Sequence, residues 1–375
     1  MTPHSGPLDP RRRARLIGID AARGLALLAM MAIHILPAED PDKSISVAHL
    51  IASGRASALF AVVAGIGLAL ANGRQTPPSG PALRAARWGV WARAPLLAGL
   101  GMILGELDSG VAVILVNYAL LFLFGALGLG WSAQRLAWLA AIWVVAVPVA
   151  SHFLRMQLPP TNFAQPNFTA LVNPLALVRE LLITGYYPVI PWLGYLWAGL
   201  AVGRLDLSSN RVAVKLAGLG ALMGVASAWL SQIVVGDRLG ELPTQFFGVT
   251  PTDSLLYLAV VTPHSATPID LAHTIGCALG VVGLSLLAAR LLGWIAAAGA
   301  MTLSLYTLHV LALATKAGLD DRPALLLIHA VVALLAGLFW VTLFGRGPLE
   351  QLLARTSALA RVAGFSAPRR IRSLR

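Results

Sequence analysis

Two charged residues and a histidine lie within one apolar segment near the start of the chain. The segment Arg15–Pro37 reads RLIGIDAARGLALLAMMAIHILP and contains Asp20, Arg23 and His34. Residues three apart share a helix face, so the carboxylate of Asp20 and the guanidinium of Arg23 can pair. His34 follows Gly24 by ten residues, which is about 15 Å of helix. A charge in lipid costs at least ~2.5–3.5 kcal/mol, so these groups predict a functional site rather than a simple anchor.

Apolar segments long enough to cross a membrane recur along the whole chain. The sequence is 57% hydrophobic and 12% charged, with a mean hydropathy of +0.76, whereas soluble domains carry about 25% charged residues. The segments lack the period-2 alternation of a membrane β-barrel. We therefore predict an all-α, polytopic membrane protein of about ten helices. The predicted spans are 16–37, 48–72, 86–106, 109–131, 133–154, 186–204, 211–235, 269–292, 293–317 and 323–344.

The distribution of positive charge predicts the orientation of the chain. With both termini in the cytoplasm, 20 Lys and Arg residues fall on the cytoplasmic side and 6 on the outer side, as the positive-inside rule requires. The net charge of +12 does not indicate a nucleic-acid partner, because the positive residues cluster in short loops and at the termini. The predicted domains are a basic cytoplasmic N-terminus (1–15), a transmembrane domain (16–344) and a basic cytoplasmic or interfacial tail (345–375), which would be attracted to anionic lipid.

Histidines concentrate on the predicted outer side of the membrane. Histidine titrates near neutral pH and can act as a general base or a nucleophile. A packed or hydrogen-bonded structural role is the simpler explanation for any single one of them, but as a group they predict a polar chamber open to the outside. Seven of the eight histidines belong to this group, namely His34, His49, His152, His264, His273, His309 and His329.

Arginines near the ends of two early spans suggest anion binding. Arg55 lies about two turns into the second span, after His49, and can either stabilise a developing negative charge or reach back to the interface. Three more arginines enter the third span from the cytoplasm. Anchoring at the membrane surface explains them, and so does binding of the phosphates of an anionic donor such as a coenzyme A thioester. They are Arg84, Arg87 and Arg93.

Polar residues in later spans complete the candidate site. Asn117 lies within the fourth span, and Tyr306 and His309 share a face of the ninth. Interhelical hydrogen bonding explains this pair as well as a functional role does. The single cysteine, Cys277, excludes an intrachain disulfide and a cysteine-based zinc site. No zinc motif of the HExxH kind occurs, so no metal is predicted.

The first span resembles that of the transmembrane acyltransferase superfamily. This superfamily includes the bacterial heparan-α-glucosaminide N-acetyltransferase-like group and the related acyltransferase 3 family. Its pattern is R-x-x-x-L/I-D-x-x-R-G, nine mostly apolar residues and then His or Asn, and the chain matches it from Arg15 to His34. Most of residues 15–353 are similar to the bacterial group, through GRASALFAVVAGIGLAL, WLGYLWAGLAVGR, TPHSATPIDLAH, GAMTLSLYTLH and RGPLEQLL.

The resemblance implies an enzyme that moves an acyl group, usually acetyl from acetyl-CoA, to an acceptor across the membrane. His34 occupies the family's His/Asn position and is expected to be the general base or a transient acyl carrier. His49 approximates a second histidine of the heparan enzyme, at a different spacing. Asp20 and Arg23 would orient the helix and the donor path, and Arg55 would stabilise oxyanion charge.

The same resemblance divides the remaining candidates between donor and acceptor. Arg84, Arg87 and Arg93 would hold the phosphates of acyl-CoA. The acceptor side would be lined by His264, Ser265, His273, Tyr306, His309 and Asn117. The sugar-binding luminal domain of the heparan enzyme has no counterpart here, which argues against a glycosaminoglycan substrate. The expected acceptor is an extracytoplasmic glycan or a lipid-linked molecule.

Two other functions are consistent with the same residues. In a transporter or flippase of a small polar or lipid-linked solute, the polar groups would bind cargo or relay protons. In a catalytically silent membrane partner, they would serve assembly alone. Acetyl-CoA binding separates the transferase from both. The composition, rich in Ala, Arg and Gly, suggests a bacterial source and hence the bacterial plasma membrane, while a homodimer is left open.

Overall fold

The computed structural model describes residues 10–366, and side chains from residue 17 to residue 364. All regular elements of this range are helices, apart from one isolated β-bridge between Glu39 and Ile45. The predicted all-α class is therefore confirmed. Residues 1–9 of the predicted basic N-terminus and residues 367–375 of the predicted tail lie outside the described residues.

Fifteen α-helices, labelled in chain order, make up the described part of the chain. Several begin with Pro in the first turn, where its missing N–H is not needed. The helices are α1 Pro10–Ile35, α2 Val47–Ala52, α3 Arg55–Ala71, α4 Gly80–Trp91, α5 Ala94–Gly105, α6 Leu115–Gly125, α7 Ala133–Arg155, α8 Pro174–Arg179, α9 Val189–Gly203, α10 Asn210–Val235, α11 Pro268–Leu287, α12 Gly293–Gly299, α13 Thr302–Ala314, α14 Arg322–Phe344 and α15 Pro348–Ser366.

Seven helical segments are long and apolar enough to cross a membrane. They contain α1, α2 with α3, α4 with α5, α7, α10, α11 and α14. The helices α12 and α13, which are bent by 73° to each other, form either one broken span or a re-entrant pair, and Leu115–Gly130 and Val189–Gly203 are shorter apolar helices. The protein is thus multi-pass. Ten spans would require the bent pair and both shorter helices to cross as well, and this number and the cytoplasmic termini remain predictions.

The spans are interrupted at a few residues with local causes. Gly54 has a φ of +70° and separates α2 from α3, a conformation that glycine adopts without the penalty of a Cβ. Pro95 in the first turn of α5 has no N–H to continue the hydrogen bonds of α4. The bend between α12 and α13 falls at Ala300 and Met301, next to α1.

Close helix crossings fix the core around these breaks. α3 packs on α9, where a Cβ on Gly65 or Gly199 would overlap the facing backbone. α1 crosses α12 in the same way, through Gly24 and Gly299. Small residues let membrane helices approach to backbone contact. The crossing of α1 and α12 holds Arg23, the neighbour of Gly24, beside the bend of α12 and α13.

The C-terminal helix packs along α4. A Cβ on Gly364 would press against Ala85 and Trp88, and the Arg361 guanidinium donates to the Asn72 side-chain oxygen at 2.6 Å. The described part of the predicted tail is therefore a helix packed on the bundle.

Candidate functional site

A cavity of about 360 Å³ lies between α1, α3, α5, α6, α13 and the start of α15. We name it the arginine cavity. Most of its wall is apolar, and its polar and charged lining residues are Arg23, Ser57, Arg93, Tyr118, Thr302, Tyr306 and Glu350. It thus combines an apolar lining with two fixed cations, as a binding site for an anion with a long apolar arm would.

The Asp20–Arg23 pair predicted from the sequence is formed. Arg23 Nη1 lies 2.7 Å from Asp20 Oδ1 and also donates to the Gly299 carbonyl oxygen at 3.3 Å. These bonds tie the guanidinium to both α1 and the end of α12. Arg23 remains part of the cavity wall, so its charge faces the cavity from a fixed position.

Arg93 is the one member of the predicted arginine group whose side chain lines this cavity. Its Nη2 donates to Ser357 Oγ on α15 at 3.1 Å. Arg84 Nε instead donates to the Gly364 carbonyl oxygen at 3.1 Å, and Arg87 donates to the carbonyls of the Ala126–Gly130 turn. Arg84 and Arg87 therefore fasten neighbouring backbone segments in this structure.

Glu350 closes the floor of the arginine cavity. One carboxylate oxygen accepts from the backbone N–H of Leu303 at 2.6 Å and of Ser304 at 3.2 Å, and the other accepts from Ser304 Oγ at 2.6 Å. A carboxylate at a helix N-terminus satisfies unpaired N–H groups and is favoured by the helix dipole. The start of α13 is therefore held by the C-terminal helix.

The wall also contains a hydroxyl that no neighbour uses. The Tyr118 hydroxyl is buried and has no hydrogen-bond partner among the described residues. Leaving a buried polar atom unpaired costs about 1–3 kcal/mol. An unpaired donor in a cavity wall indicates a place where a polar atom of a ligand would bind.

A second cavity of about 370 Å³ lies at the other end of α1 and has different chemistry. We name it the histidine cavity. Its walls come from α1, α2, α3, α6, the segment before α6 and the long connections around residues 156–188 and 236–267. Its polar and aromatic lining residues are His34, His49, Ser57, Asn117, Phe163, Gln165, Glu180, Tyr186, Tyr187, Gln245, Phe247 and His264.

His34 is held in the wall of this cavity by a second histidine. His34 Nδ1 lies 3.1 Å from His309 Nε2, and the two rings stack with centroids 5.4 Å apart. His309 Nδ1 in turn lies 2.7 Å from His329 Nδ1 on α14. Three of the predicted outer-side histidines therefore form one hydrogen-bonded row, and Nε2 is the nitrogen of His34 that this row leaves for another partner.

Two other predicted residues, His49 and Asn117, line the same cavity as His34. His49 Nε2 lies 3.3 Å from the Leu36 carbonyl oxygen, which places its ring beside the end of α1. Asn117 donates to the Tyr187 carbonyl oxygen at 2.8 Å and is buried. Each of the two residues therefore lines the histidine cavity while one of its polar atoms contacts a backbone carbonyl oxygen.

His264 lines the same cavity from the connection before α11. It is buried, adopts a φ of +58°, and packs against Tyr186 with ring centroids 4.8 Å apart. Burial, with some contribution from His34 and His49, lowers the pKa of His264 to about 3, while burial raises the pKa of Tyr186 to about 12. Both side chains are therefore neutral near pH 7.

Arg55, His273 and Ser265 lie outside both cavity walls, as do the predicted residues Asp20, Arg84, Arg87 and His309. Arg55 Nε donates to His273 Nε2 at 3.1 Å, and its Nη1 donates to the Leu50 carbonyl oxygen at 2.9 Å. His273 Nδ1 completes the chain with the Gly224 carbonyl oxygen at 2.9 Å. Ser265 is buried beneath the loop before α11 and lies 3.5 Å from Thr267 Oγ1. None of the three belongs to either cavity wall as described.

Two acids that sequence reasoning missed organise these surroundings. Glu180 lines the histidine cavity and accepts from the backbone N–H groups of Asn162 and Ala164, so it fastens the loop over the cavity. Asp270 is buried and accepts from the Ala266 N–H at 3.1 Å. Each of these acids lies within a strongly apolar stretch of sequence, and this feature could have identified both as candidate site residues, as it did Asp20.

The two cavities share part of their walls. Met30 on α1 and Ser57 on α3 line both of them, and Met30 lies one helical turn before His34. Among residues 10–366, no group of three or more His, Cys, Asp or Glu side chains is arranged to hold a metal ion.

Comparison with known families identifies the family of the chain. The family described as "Heparan-alpha-glucosaminide N-acetyltransferase, catalytic" matches residues 15–231, more than half of the chain. No individual curated protein is similar enough to count as a match. The chain therefore belongs to the heparan-α-glucosaminide N-acetyltransferase catalytic family, and is a membrane enzyme of the class that transfers groups other than aminoacyl groups.

Proposed function

We propose that this member of the family moves an acyl group, in the first place acetyl, from acyl-CoA in the arginine cavity to an acceptor in the histidine cavity. The observation that carries the proposal is that two cavities of opposite chemistry share Met30 and Ser57, one turn from His34. One reaction can use both cavities at once only if the reacting atoms meet at this shared wall.

The arginine cavity suits the donor. Arg23 and Arg93 supply the positive charge that phosphate or another anionic group needs, and the apolar wall suits the pantetheine arm and the acyl group. We assign donor contacts first to these two arginines, because Arg84 and Arg87 already bond backbone carbonyls. The Tyr118 hydroxyl is a free donor for a carbonyl or thioester oxygen.

His34 suits the role of general base. With Nδ1 bonded to His309, Nε2 can take the proton from an acceptor hydroxyl or amine as the acceptor attacks the acyl carbon. The carbon–sulfur bond then breaks, and the thiolate leaves on the donor side and takes up a proton there. General-base catalysis of this kind contributes about 10²–10⁴-fold to a rate. A variant of the same chemistry uses Nε2 as a transient acyl carrier.

The histidine cavity suits a glycan or a lipid-linked acceptor. Phe163, Tyr186 and Phe247 offer aromatic faces, while Glu180 and His264 offer polar atoms. A sugar ring presents the same combination of apolar faces and hydroxyl edges. With the histidine cavity on the outer side, as the charge distribution predicts, the acceptor is extracytoplasmic and the protein acts in the bacterial plasma membrane.

The family match favours this function over the transporter and the silent partner, since its members are acetyltransferases. Purified protein in lipid, given radiolabelled acetyl-CoA and glucosamine as a probe acceptor, should yield labelled N-acetylglucosamine. His34→Ala should abolish the product while retaining the helical circular dichroism spectrum. His152→Gln is the control, because His152 is an outer-side histidine of α7 outside both cavity walls. If the wild type neither transfers acetyl groups nor binds acetyl-CoA, the transporter function would be favoured instead.

A further inference from the structure

We infer that His309 and His329 form a proton relay that carries the acceptor's proton from His34 to the outer half of α14. The inference rests on the proposed function for the identity of the proton donor. It assigns His329, which lines neither cavity, to the reaction as a positioning and relay residue. The observation behind it is the continuous row of three imidazoles on three different helices, α1, α13 and α14.

The contacts between the rings fix the route. Both nitrogens of His309 are engaged, Nε2 with His34 Nδ1 at 3.1 Å and Nδ1 with His329 Nδ1 at 2.7 Å. His309 is buried, whereas His329 is partly exposed. The row therefore begins at a cavity wall, passes through an enclosed ring and ends at a ring that is not enclosed.

Two arrangements of protons satisfy every contact in the row. In the first, His34 Nδ1–H donates to His309 Nε2, and His309 Nδ1–H donates to His329 Nδ1. In the second, each hydrogen bond is reversed, so that His329 Nδ1–H donates to His309 and His309 Nε2–H donates to His34. Neutral imidazole carries one N–H, so the tautomer of each ring determines that of the next.

The reaction converts the first arrangement into the second. His34 Nε2 accepts the acceptor's proton and passes its Nδ1 proton to His309, which passes its own Nδ1 proton to His329. His329 then releases the proton of its Nε2 to water that reaches the outer end of α14 from the membrane surface. One proton enters at His34 and one leaves at His329, so all three imidazoles are neutral after the transfer. No imidazolium is left in the membrane interior, where a charge is costly.

The position of the last ring agrees with an outward exit. His329 is seven residues after Arg322, the first residue of α14, or about 10 Å from that end of the helix. Arg322 donates to the Ile35 carbonyl oxygen at 3.0 Å, which joins the end of α14 to the end of α1 next to His34.

The hydrogen bonds of the row can be tested without any activity. Protein labelled with ¹⁵N-histidine in lipid bilayers should show nitrogen–nitrogen couplings for His34–His309 and for His309–His329. The second coupling should be lost in His329→Phe and the first retained. Absence of both couplings in the wild type would overturn the relay, whatever the protein's activity.

The transport of the proton is tested by the acetyl-transfer assay. His329→Gln can still hydrogen-bond to His309 but cannot pass a proton, so its kcat should fall at least about tenfold with an unchanged KM for acetyl-CoA. Imidazole in the buffer should restore part of the rate to His329→Ala. The control Leu327→Phe, an exposed residue of the same helix, should behave as wild type.

The outcomes separate the relay from the proposed function. Full kcat in His329→Gln would overturn the relay while leaving acyl transfer intact. An inactive wild type would overturn the proposed function. In that case the nitrogen–nitrogen couplings would still show whether the three histidines form a hydrogen-bonded row. A reduced kcat in His329→Gln together with imidazole rescue of His329→Ala would support the relay, since a loss of packing is not repaired by imidazole.

Discussion

Met30 on α1 and Ser57 on α3 belong to the walls of both the arginine cavity and the histidine cavity. The Ser57 hydroxyl donates to the Gly54 carbonyl oxygen at 3.1 Å, so its polar atom is already satisfied within α3. One flexible side chain, Met30, and one small side chain, Ser57, therefore form part of the boundary between the two cavities. A thioether side chain such as that of Met30 adapts readily to an irregular space.

Enlarging Ser57 should close this boundary. Ser57→Leu adds bulk where the residue is only 3% exposed, so we expect kcat for acetyl transfer to fall at least tenfold while acetyl-CoA still binds in the arginine cavity. Overpacking should also lower the free energy of unfolding by about 1–3 kcal/mol. The control Ser57→Ala removes only the hydroxyl and should keep most of the activity. Equal rates for Ser57→Leu and the wild type would exclude transfer across this boundary.

Arg93 and Arg87 should differ in their effect on the donor. Arg93→Gln removes a cation from the arginine cavity and should raise the KM for acetyl-CoA at least tenfold, as expected for the loss of a charge-assisted hydrogen bond. Arg87→Gln should lower thermal stability with less than a twofold change in KM, because Arg87 bonds the Ala126 and Leu127 carbonyl oxygens. Steady-state kinetics and thermal unfolding distinguish the two. If Arg87→Gln raised the KM for acetyl-CoA more than Arg93→Gln does, the donor would bind outside the arginine cavity.

The crossing of α1 and α12 should tolerate no side chain at Gly299. A Cβ there would overlap the Asp20 carbonyl oxygen, so Gly299→Ala must push the two helices apart, at a cost of about 1–3 kcal/mol, and move Arg23. We expect a lower unfolding temperature and weaker acetyl-CoA binding. Gly99→Ala on α5 is the control, because a Cβ at Gly99 has no described atom within 4 Å. A Gly299→Ala protein as stable as Gly99→Ala would contradict this packing.

His264 should make the folded state sensitive to acid. Its pKa is about 3 in the folded state and 6.5 ordinarily, so the unfolded chain binds a proton below pH 6.5 that the folded chain does not. Stability should therefore fall as the pH drops from 6.5 towards 3, by up to ~1.4 kcal/mol per pH unit, and His264 should have no effect above pH 6.5.

The variant His264→Asn isolates this contribution. Asparagine tolerates the φ of +58° at this position and does not titrate. Thermal unfolding of both proteins at about pH 7 and about pH 5 should show a smaller acid destabilisation in the variant. Identical pH dependence would mean that His264 is not buried in the neutral form.

Much of the fold could be predicted from local pattern. Apolar length defines the transmembrane helices, so predicted spans such as 133–154 and 211–235 nearly coincide with α7 and α10. The breaks were not predicted. The bend between α12 and α13 follows Gly299, which packs against α1, and a contact between distant segments leaves no periodic signal in either of them.

The candidate site was predictable where the chemistry is local to one helix. Asp20 and Arg23 pair because they are three residues apart, and the structure forms this pair. The role of Arg55 depends instead on His273, 218 positions away, which takes its guanidinium away from the cavities. Glu350 was not predicted as a site residue, because nothing in its segment RGPLEQLL indicates that its carboxylate reaches the start of α13.

The sidedness of the reaction tests the central claim most directly. Proteoliposomes would carry glucosamine inside and receive radiolabelled acetyl-CoA, which does not cross lipid, outside, with Ser57→Leu and His34→Ala as matched variants. If one passage joins a donor cavity to an acceptor cavity on opposite faces, labelled N-acetylglucosamine should accumulate inside the vesicles with the wild type and with neither variant. If labelled product does not accumulate inside wild-type vesicles, or accumulates equally with Ser57→Leu or His34→Ala, transfer across the membrane through Met30, Ser57 and His34 is contradicted.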